Sequence, residues 1–277
     1  MAWQGLENYR PYTRVMQLHT RLDAWLKGRI GYGSLSAPAW YIGAEEACGG
    51  RNELERRLGV GTVAESDTMV EDLQQAHARI TDGAQLFAGV PRLQPTWNKL
   101  IHAHLVATTN DTPTRDDRRT AQRDWWGRTQ VDAPQHQVLL AELWPLPCPH
   151  SGVKHWRAMY GDLGREDLAS RAAYEAQWGP ERHKLFESLI EVHRPKWVVA
   201  YGGAAASAAS LWAGQRTEGV HIIVGDIQWG RVAKAGGTVF IQAPHPVSRQ
   251  GNALAGWAAA GRAISTRMAD FIHLSAP

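Results

Sequence analysis

Short apolar runs, separated by longer stretches of helical spacing, set the pattern of this chain. Five runs read as strands: residues 40–42, 138–143, 197–201, 220–224 and 238–241. Each is rich in Val, Ile, Leu or aromatic residues. Most are closed by Gly or Pro within a few positions, as in strands covered on both faces. Helical spacing covers 67–87, where Met69, Val70, Leu73, Ala76, Ile80, Ala84 and Phe87 lie near one stripe. It also covers 96–106 after Pro95, 180–193 beginning at Pro180, the Ala-rich 204–213, and 252–272 with Asn252 as N-cap. Gly261 falls on the apolar face of the last helix, where glycine costs about 1 kcal/mol against alanine unless close packing needs it. A helix is expected near 14–26. Residues 110–123, densely charged, and 147–164, rich in Pro, Gly and His, read as loops. Strands alternating with helices predict an α/β fold with a largely parallel sheet, in which ligands bind at the carboxyl ends of strands.

Composition narrows the function classes. The 277 residues carry 30 Lys and Arg against 27 Asp and Glu, a net charge of +3. That excludes a polybasic tail or a strongly acidic disordered chain, and leaves room for a local basic face. No run approaches the roughly 18–20 apolar residues needed to span a bilayer, and the first residues lack a secretory pattern. A cytoplasmic protein without membrane association is therefore expected. Cys48 and Cys148 are too few for a disulfide scaffold or a four-cysteine cluster and read as buried thiols. The 13 tryptophans either fill the core or form platforms for bases or sugars. His102 and His104 do not share a helical face, and His136, His150 and His155 lack metal-ligand spacing, so no metal or cofactor is expected. No Gly-x-Ser-x-Gly elbow is present.

The strand ends carry the candidate chemistry. The first strand runs into Gly43-Ala44-Glu45-Glu46, two carboxylates in a glycine-flanked turn. They either complement a helix dipole or orient and deprotonate water. The second runs into Glu142-Leu143-Trp144-Pro145, where a carboxylate closing an apolar run is costly to bury without a partner. It is either a partly solvated residue or a group that accepts hydrogen bonds from a ligand. The third ends in Gly202-Gly203 before a small-residue helix, a tight turn that could also receive a phosphate. The last ends in Pro244-His245-Pro246-Val247-Ser248-Arg249-Gln250-Gly251, where prolines on both sides restrict the histidine.

Taken together, these turns resemble the uracil-DNA glycosylase superfamily. Gly43-Ala44-Glu45-Glu46 looks like its motif I, and Ala243-Pro244-His245-Pro246-Val247-Ser248-Arg249 looks like its motif II. The resemblance spans roughly residues 40–251. It implies a single domain over 1–277: an N-terminal extension (1–39), a core (40–251) and a closing helix (252–277). The implied fold is a three-layer α/β/α domain with a four-stranded, mainly parallel central sheet. The implied activity is monofunctional hydrolysis of the N-glycosidic bond of a flipped-out nucleotide in DNA by a monomer. Glu45, with Glu46 as rival, would position or activate water at the sugar C1′. His245 would hydrogen-bond the base O2 and stabilise the departing negative charge. Ser248, Arg249 and Gln250 would contact DNA, one of the latter two as wedge or phosphate contact. Arg115, Arg118, Arg119 and Arg123 either add phosphate contacts or form a solvated charge run.

This chain departs from the superfamily pattern at three points. Motif I lacks the usual nearby proline. Two cysteines cannot supply an iron–sulfur cluster. Where uracil-reading members place an asparagine, the nearest residue is Glu142. An ionised carboxylate accepts hydrogen bonds and donates none, so it suits the cytosine amino group rather than the uracil carbonyl. A mismatched polar contact costs roughly 1–3 kcal/mol, about tenfold or more in preference. The expected substrate is a modified cytosine, hydroxymethylated or glucosylated as in phage DNA, with Trp144 lining an open pocket and an antiviral role. A protonated Glu142 would restore a uracil-specific repair enzyme. A non-catalytic nucleic-acid-binding module is the third reading.

Overall fold

The computed structural model describes residues 9–60, 69–80, 83–149, 153–214 and 219–274. Its strands are β1 (Gly31–Gly33), β2 (Ala39–Gly43), β3 (Val70–Glu71), β4 (Val138–Glu142), β5 (Trp197–Tyr201), β6 (Val220–Val224), β7 (Ile227–Ala235) and β8 (Thr238–Ala243). Its helices are α1 (Tyr9–Gly28), α2 (Arg51–Arg57), α3 (Leu73–Ala78), α4 (Pro95–Thr109), α5 (Arg115–Asp124), α6 (Val153–Tyr160), α7 (Arg171–His193), α8 (Gly203–Trp212) and α9 (Leu254–Leu274). The chain divides into two compact units. The smaller comprises Met1–Ile30, Glu45–Met69 and Trp144–Pro180, and the larger comprises Gly31–Ala44, Val70–Leu143 and Glu181–Pro277.

The larger unit is α/β and holds the whole sheet. The expected four-stranded, mainly parallel sheet is corrected to a mixed sheet of eight strands, in the order β3-β1-β4-β2-β5-β8-β7-β6. The neighbours β4-β2-β5-β8 at its centre are parallel. β1 is antiparallel to β4, and β7 and β6 extend the other side as antiparallel strands. β2 and β5 are buried at every position and β4 at all but Glu142. Continuous burial requires cover on both faces, and helices supply it. One face carries Tyr41, Leu140, Val199 and Ile241 in a cluster with Leu100, Ile101, Ala103, Trp257 and Ile264 of α4 and α9. α8 packs on β5 and β8.

Local chemistry explains where several expectations shift. Residues 110–123 are not a loop: Thr114 and Asp117 form a reciprocal capping box that starts α5. Within 147–164, residues 153–160 are helical; His150 lies outside the described residues. The expected helix over 67–87 breaks into β3, α3 and a 3-10 turn at Gly83–Leu86. Asp72 caps α3 by accepting from the Gln75 N–H, so the new helix starts inside the apolar stripe. α7 begins at Arg171, not Pro180, and carries Pro180 within it. Burial of Tyr174, Trp178, Phe186 and Ile190 along the helix opposes the roughly 3 kcal/mol that an interior proline costs. α9 begins at Leu254, two residues beyond Asn252. β6 lies at the sheet edge, with Val220 and Ile223 exposed, rather than covered on both faces.

Most of the described tryptophans are core rather than open platforms: Trp40, Trp126, Trp156 and Trp257 are among the largest fully buried side chains. At Gly261 the helices α4 and α9 lie in close contact. A Cβ there would stand 2.6 Å from the Ala103 carbonyl oxygen. Among the described residues no helix is long and apolar enough to cross a membrane.

The smaller unit is helical. α1 buries Leu18, Leu22, Trp25 and Leu26 on one stripe. Arg165 binds Asp23 at 2.6 Å and Asp167 at 2.7 Å, and the Trp178 indole N–H donates to Asp167. Cys48 and Cys148 are buried free thiols.

Candidate active site

In the larger unit, the parallel strands deliver one cluster at their carboxyl ends. Gly43 and Glu142 are register partners across β2 and β4, and Tyr201 and Ala243 are partners across β5 and β8. All four continue the face that carries Tyr41, Leu140, Val199 and Ile241. Gly43 separates Glu142 from Tyr201: a Cβ at this position would stand 2.5 Å from Glu142 Oε2 and 2.7 Å from Tyr201 Oη. A bare backbone is therefore what allows the carboxylate and the phenol to approach one another here.

His245 follows β8 in a tight turn. Ser248 locks it: the Ser248 N–H and hydroxyl both donate to the His245 carbonyl, at 2.9 and 2.7 Å, and the Gly251 N–H donates to Ser248 Oγ at 3.0 Å. The imidazole stands edge-on to Tyr201, with ring centroids 6.2 Å apart, and over Gly202, where a Cβ would be 3.5 Å from Cδ2. His245 Nδ1 accepts from the Val247 N–H at 3.4 Å, which leaves the proton of the neutral ring on Nε2. Burial holds its pKa below the ordinary imidazole value. The turn thus presents a neutral ring with Nε2–H as its remaining donor.

The residues that follow His245 divide between structure and solvent. Ser248 is spent on the turn. Gln250 ties it to β7 by donating to the Gln228 carbonyl at 2.7 Å. Arg249 is exposed. Gly202 caps α8 with φ 79°, and its N–H is taken by the Ala243 carbonyl; Gly203 opens the helix. The α5 arginines are mostly committed internally. Arg118 is 8% exposed and donates to Asn98 and the Pro113 carbonyl. Arg119 pairs with Asp116 and Arg123 with Asp124.

In the smaller unit, the two motif I carboxylates have different surroundings. Glu46 pairs with Arg57 at 2.6 Å, and its carbonyl accepts from the Cys148 N–H. Glu45 pairs with Arg171, whose Nε also donates to Glu175 at 2.5 Å. The Arg171 guanidinium lies over Trp156, Trp144 and Tyr174 at 5.3, 5.6 and 5.6 Å. Trp144 is buried beneath it, closed on another side by Gly179. Burial pushes the Glu45 carboxyl above its ordinary pKa, and Arg171 opposes that shift by charge and by hydrogen bond. Arg171 has no signature within the motif. The only signal that could have found it is a lone arginine beside an aromatic-rich stretch.

His102 and His104 are interior groups of α4. His104 contacts Tyr41 Oη at 3.1 Å and the Gln135 carbonyl at 2.7 Å, and burial pushes both histidines down to about 4. Among the described residues, no group of three or more His, Cys, Asp and Glu is placed to hold a metal ion. Comparison with protein-family models, curated proteins and solved structures found no match to this chain.

Proposed function

We propose that this chain is a monofunctional DNA glycosylase acting on a flipped-out modified pyrimidine, a hydroxymethylated or glucosylated cytosine, and leaving an abasic site. The observation that carries the reading is the His245 turn. It presents a neutral imidazole, with Nε2–H as its donor, on a backbone turn that Ser248 fixes at the carboxyl end of a buried parallel strand. A donor of that kind stabilises negative charge developing on the O2 of a leaving pyrimidine. In the smaller unit, Glu45 is the carboxylate that the resemblance assigns to the water. Arg171 favours its ionised form against burial, and a carboxylate can orient water and take its proton as oxygen bonds to C1′. The C1′–N bond breaks, its electron pair leaves with the base, and a proton from solvent neutralises the departing base. Glu46, paired with Arg57, is the weaker candidate for this step.

Glu142 supports the cytosine preference. It ends β4 beside Gly43, and a carboxylate accepts from an exocyclic amino group. The α/β class is compatible with the resemblance in its coarse form, while the mixed eight-stranded sheet differs from the four-stranded one it implies. Arg249, exposed on the turn, is the proposed DNA contact.

The test uses Glu45→Gln, His245→Ala and Glu142→Asn on oligonucleotides carrying modified cytosine or uracil. The first two should abolish base release while DNA binding stays within about threefold, as for loss of a transition-state interaction. Retained activity in both would remove the site assignment. Glu142→Asn should shift preference towards uracil, and unchanged preference would remove the cytosine argument.

A further inference from the structure

In the larger unit, α4 packs on both α5 and α9, and the three helices gather positive charge where they meet. Arg118 of α5 spans Asn98 and His102, one turn apart on α4. Its Nε donates to Asn98 Oδ1 at 2.8 Å, and its Nη1 donates to the Pro113 carbonyl at 2.7 Å and to His102 Nδ1 at 3.4 Å. All three partners are neutral: burial, with the charges of Arg118 and Arg262, pushes His102 down to about 4. Lys99 lies one turn from both His102 and Ala103, and Ala103 is the residue that meets Gly261 of α9. Lys99 therefore stands between the Arg118 stripe and α9, where Arg262 follows Gly261.

No counter-charge answers these cations. Lys99 and Arg118 are each only 8% exposed. Among the described residues Lys99 meets no acceptor and no carboxylate, and the same holds for the exposed Arg262. The Lys99 ammonium and Arg118 Nη2, the donor left over from the Arg118 bonds, both remain open to solvent. The carboxylates of α5 are committed elsewhere. Asp116 pairs with Arg119 and Asp124 with Arg123, and Asp117 accepts from the Thr114 N–H and hydroxyl. α4 carries no carboxylate, and the first in α9 is Asp270, more than two turns beyond Arg262.

Like charges held together on a half-buried surface repel, and a bound anion offsets the repulsion. We propose that Lys99, Arg118 and Arg262 form a binding site for a phosphoryl group. An ammonium serves phosphate as a point charge, and a guanidinium supplies directed N–H donors. Three cations with no carboxylate among them suit a multiply charged phosphoryl group better than a monocarboxylate. The same chemistry is offered by free phosphate, by a phosphate monoester and by the backbone of DNA. The site is independent of the glycosylase reading.

The test is calorimetric titration of the full chain, in buffer without phosphate, with inorganic phosphate, phenyl phosphate and an unmodified DNA duplex, and with benzoate as control. At least one phosphate source should bind saturably, with benzoate about tenfold weaker or more. Lys99→Met, which keeps the buried stem, should weaken that source about tenfold or more, as for loss of a charged hydrogen bond. Arg262→Gln, at an exposed position, should weaken it about two- to fivefold. Circular dichroism checks that both variants are folded. Variant-sensitive binding of phosphate or phenyl phosphate would place a small ligand in the site, and variant-sensitive binding of duplex alone would place the DNA backbone there; either upholds the proposal. Absence of binding by all three phosphate sources would overturn it. So would equal binding of benzoate, or unchanged binding in both folded variants.

Discussion

Replacing Arg171 with methionine should destabilise the protein by about 3 kcal/mol near neutral pH and by much less in acid. The Arg171 and Glu45 side chains are only 14% and 13% exposed. Removing one partner of a buried pair costs about 3–5 kcal/mol. Methionine still fills the space among Trp144, Trp156 and Tyr174, which places the loss at the lower end. The pH dependence identifies its cause. Burial already holds the folded-state pKa of Glu45 above its ordinary value, so the folded protein binds more protons than the unfolded chain in that window and stability falls as pH rises through it. Without Arg171 the folded pKa moves further up, the window widens towards neutrality, and the deficit grows with pH. Below the ordinary carboxylate range Glu45 is neutral in both states, and only the contact of the cation with the rings, about 1 kcal/mol, is lost. Urea unfolding at about pH 3 and about pH 7, below and above the ordinary Glu value of about 4.3, would approach both limits for the native chain, Arg171→Met, Glu45→Gln and the double variant. The double variant should be more stable at neutral pH than the sum of the single losses by more than about 1 kcal/mol. A deficit independent of pH, or additive losses, would refute the charge argument and leave packing as the role of Arg171.

Three further outcomes follow from the geometry. Gly261→Ala places a methyl 2.6 Å from the Ala103 carbonyl oxygen and 2.7 Å from Val106 Cβ; overpacking should lower stability by about 1–3 kcal/mol in urea unfolding, and a neutral result would contradict the close α4–α9 contact. Gly43→Ala drives a methyl into Glu142 and Tyr201; on the proposed reading base release should fall at least about tenfold, the loss of roughly 1.4 kcal/mol at the transition state, and unchanged kcat would separate this cluster from the chemistry. The His245 imidazole should titrate by NMR below the ordinary value of about 6.5, and a midpoint at or above that value would contradict the neutral ring.

The parallel centre of the sheet was legible because it is buried on both faces. Trp40, Val138, Val199 and Ile241 sit in runs with no polar interruption, and such runs have few alternatives. β7 was not legible, since Gln228, Gly230, Arg231 and Lys234 dilute its apolar residues and only Trp229 and Val232 are buried. Its signal lay in its ends: Gly225-Asp226 and Gly236-Gly237 are two-residue hairpin turns. β1 and β3, three and two residues long, are too short to carry a period. The α5 helix was masked by its charge, because the face it buries carries Arg118, Ala121 and Gln122 rather than an apolar stripe, and its start is written in the capping box instead. Among the candidate residues, Gly43, Glu142, Gly202 and His245 at the strand ends of the larger unit could be found by position alone. Arg171 and Tyr201 could not. One lies far along the chain from the carboxylate it holds, and the other reads as the last apolar residue of a strand.

The central claim is base excision, and its most direct test is abasic-site formation. Purified protein is incubated, with EDTA present, with phage genomic DNA carrying unmodified, hydroxymethylated or glucosylated cytosine, and with a uracil-containing duplex. Alkali then converts each abasic site to a strand break. The account predicts breaks in modified-cytosine DNA that disappear with His245→Ala. Breaks confined to uracil DNA would contradict the substrate, and no breaks in any sample would contradict the glycosylase reading itself.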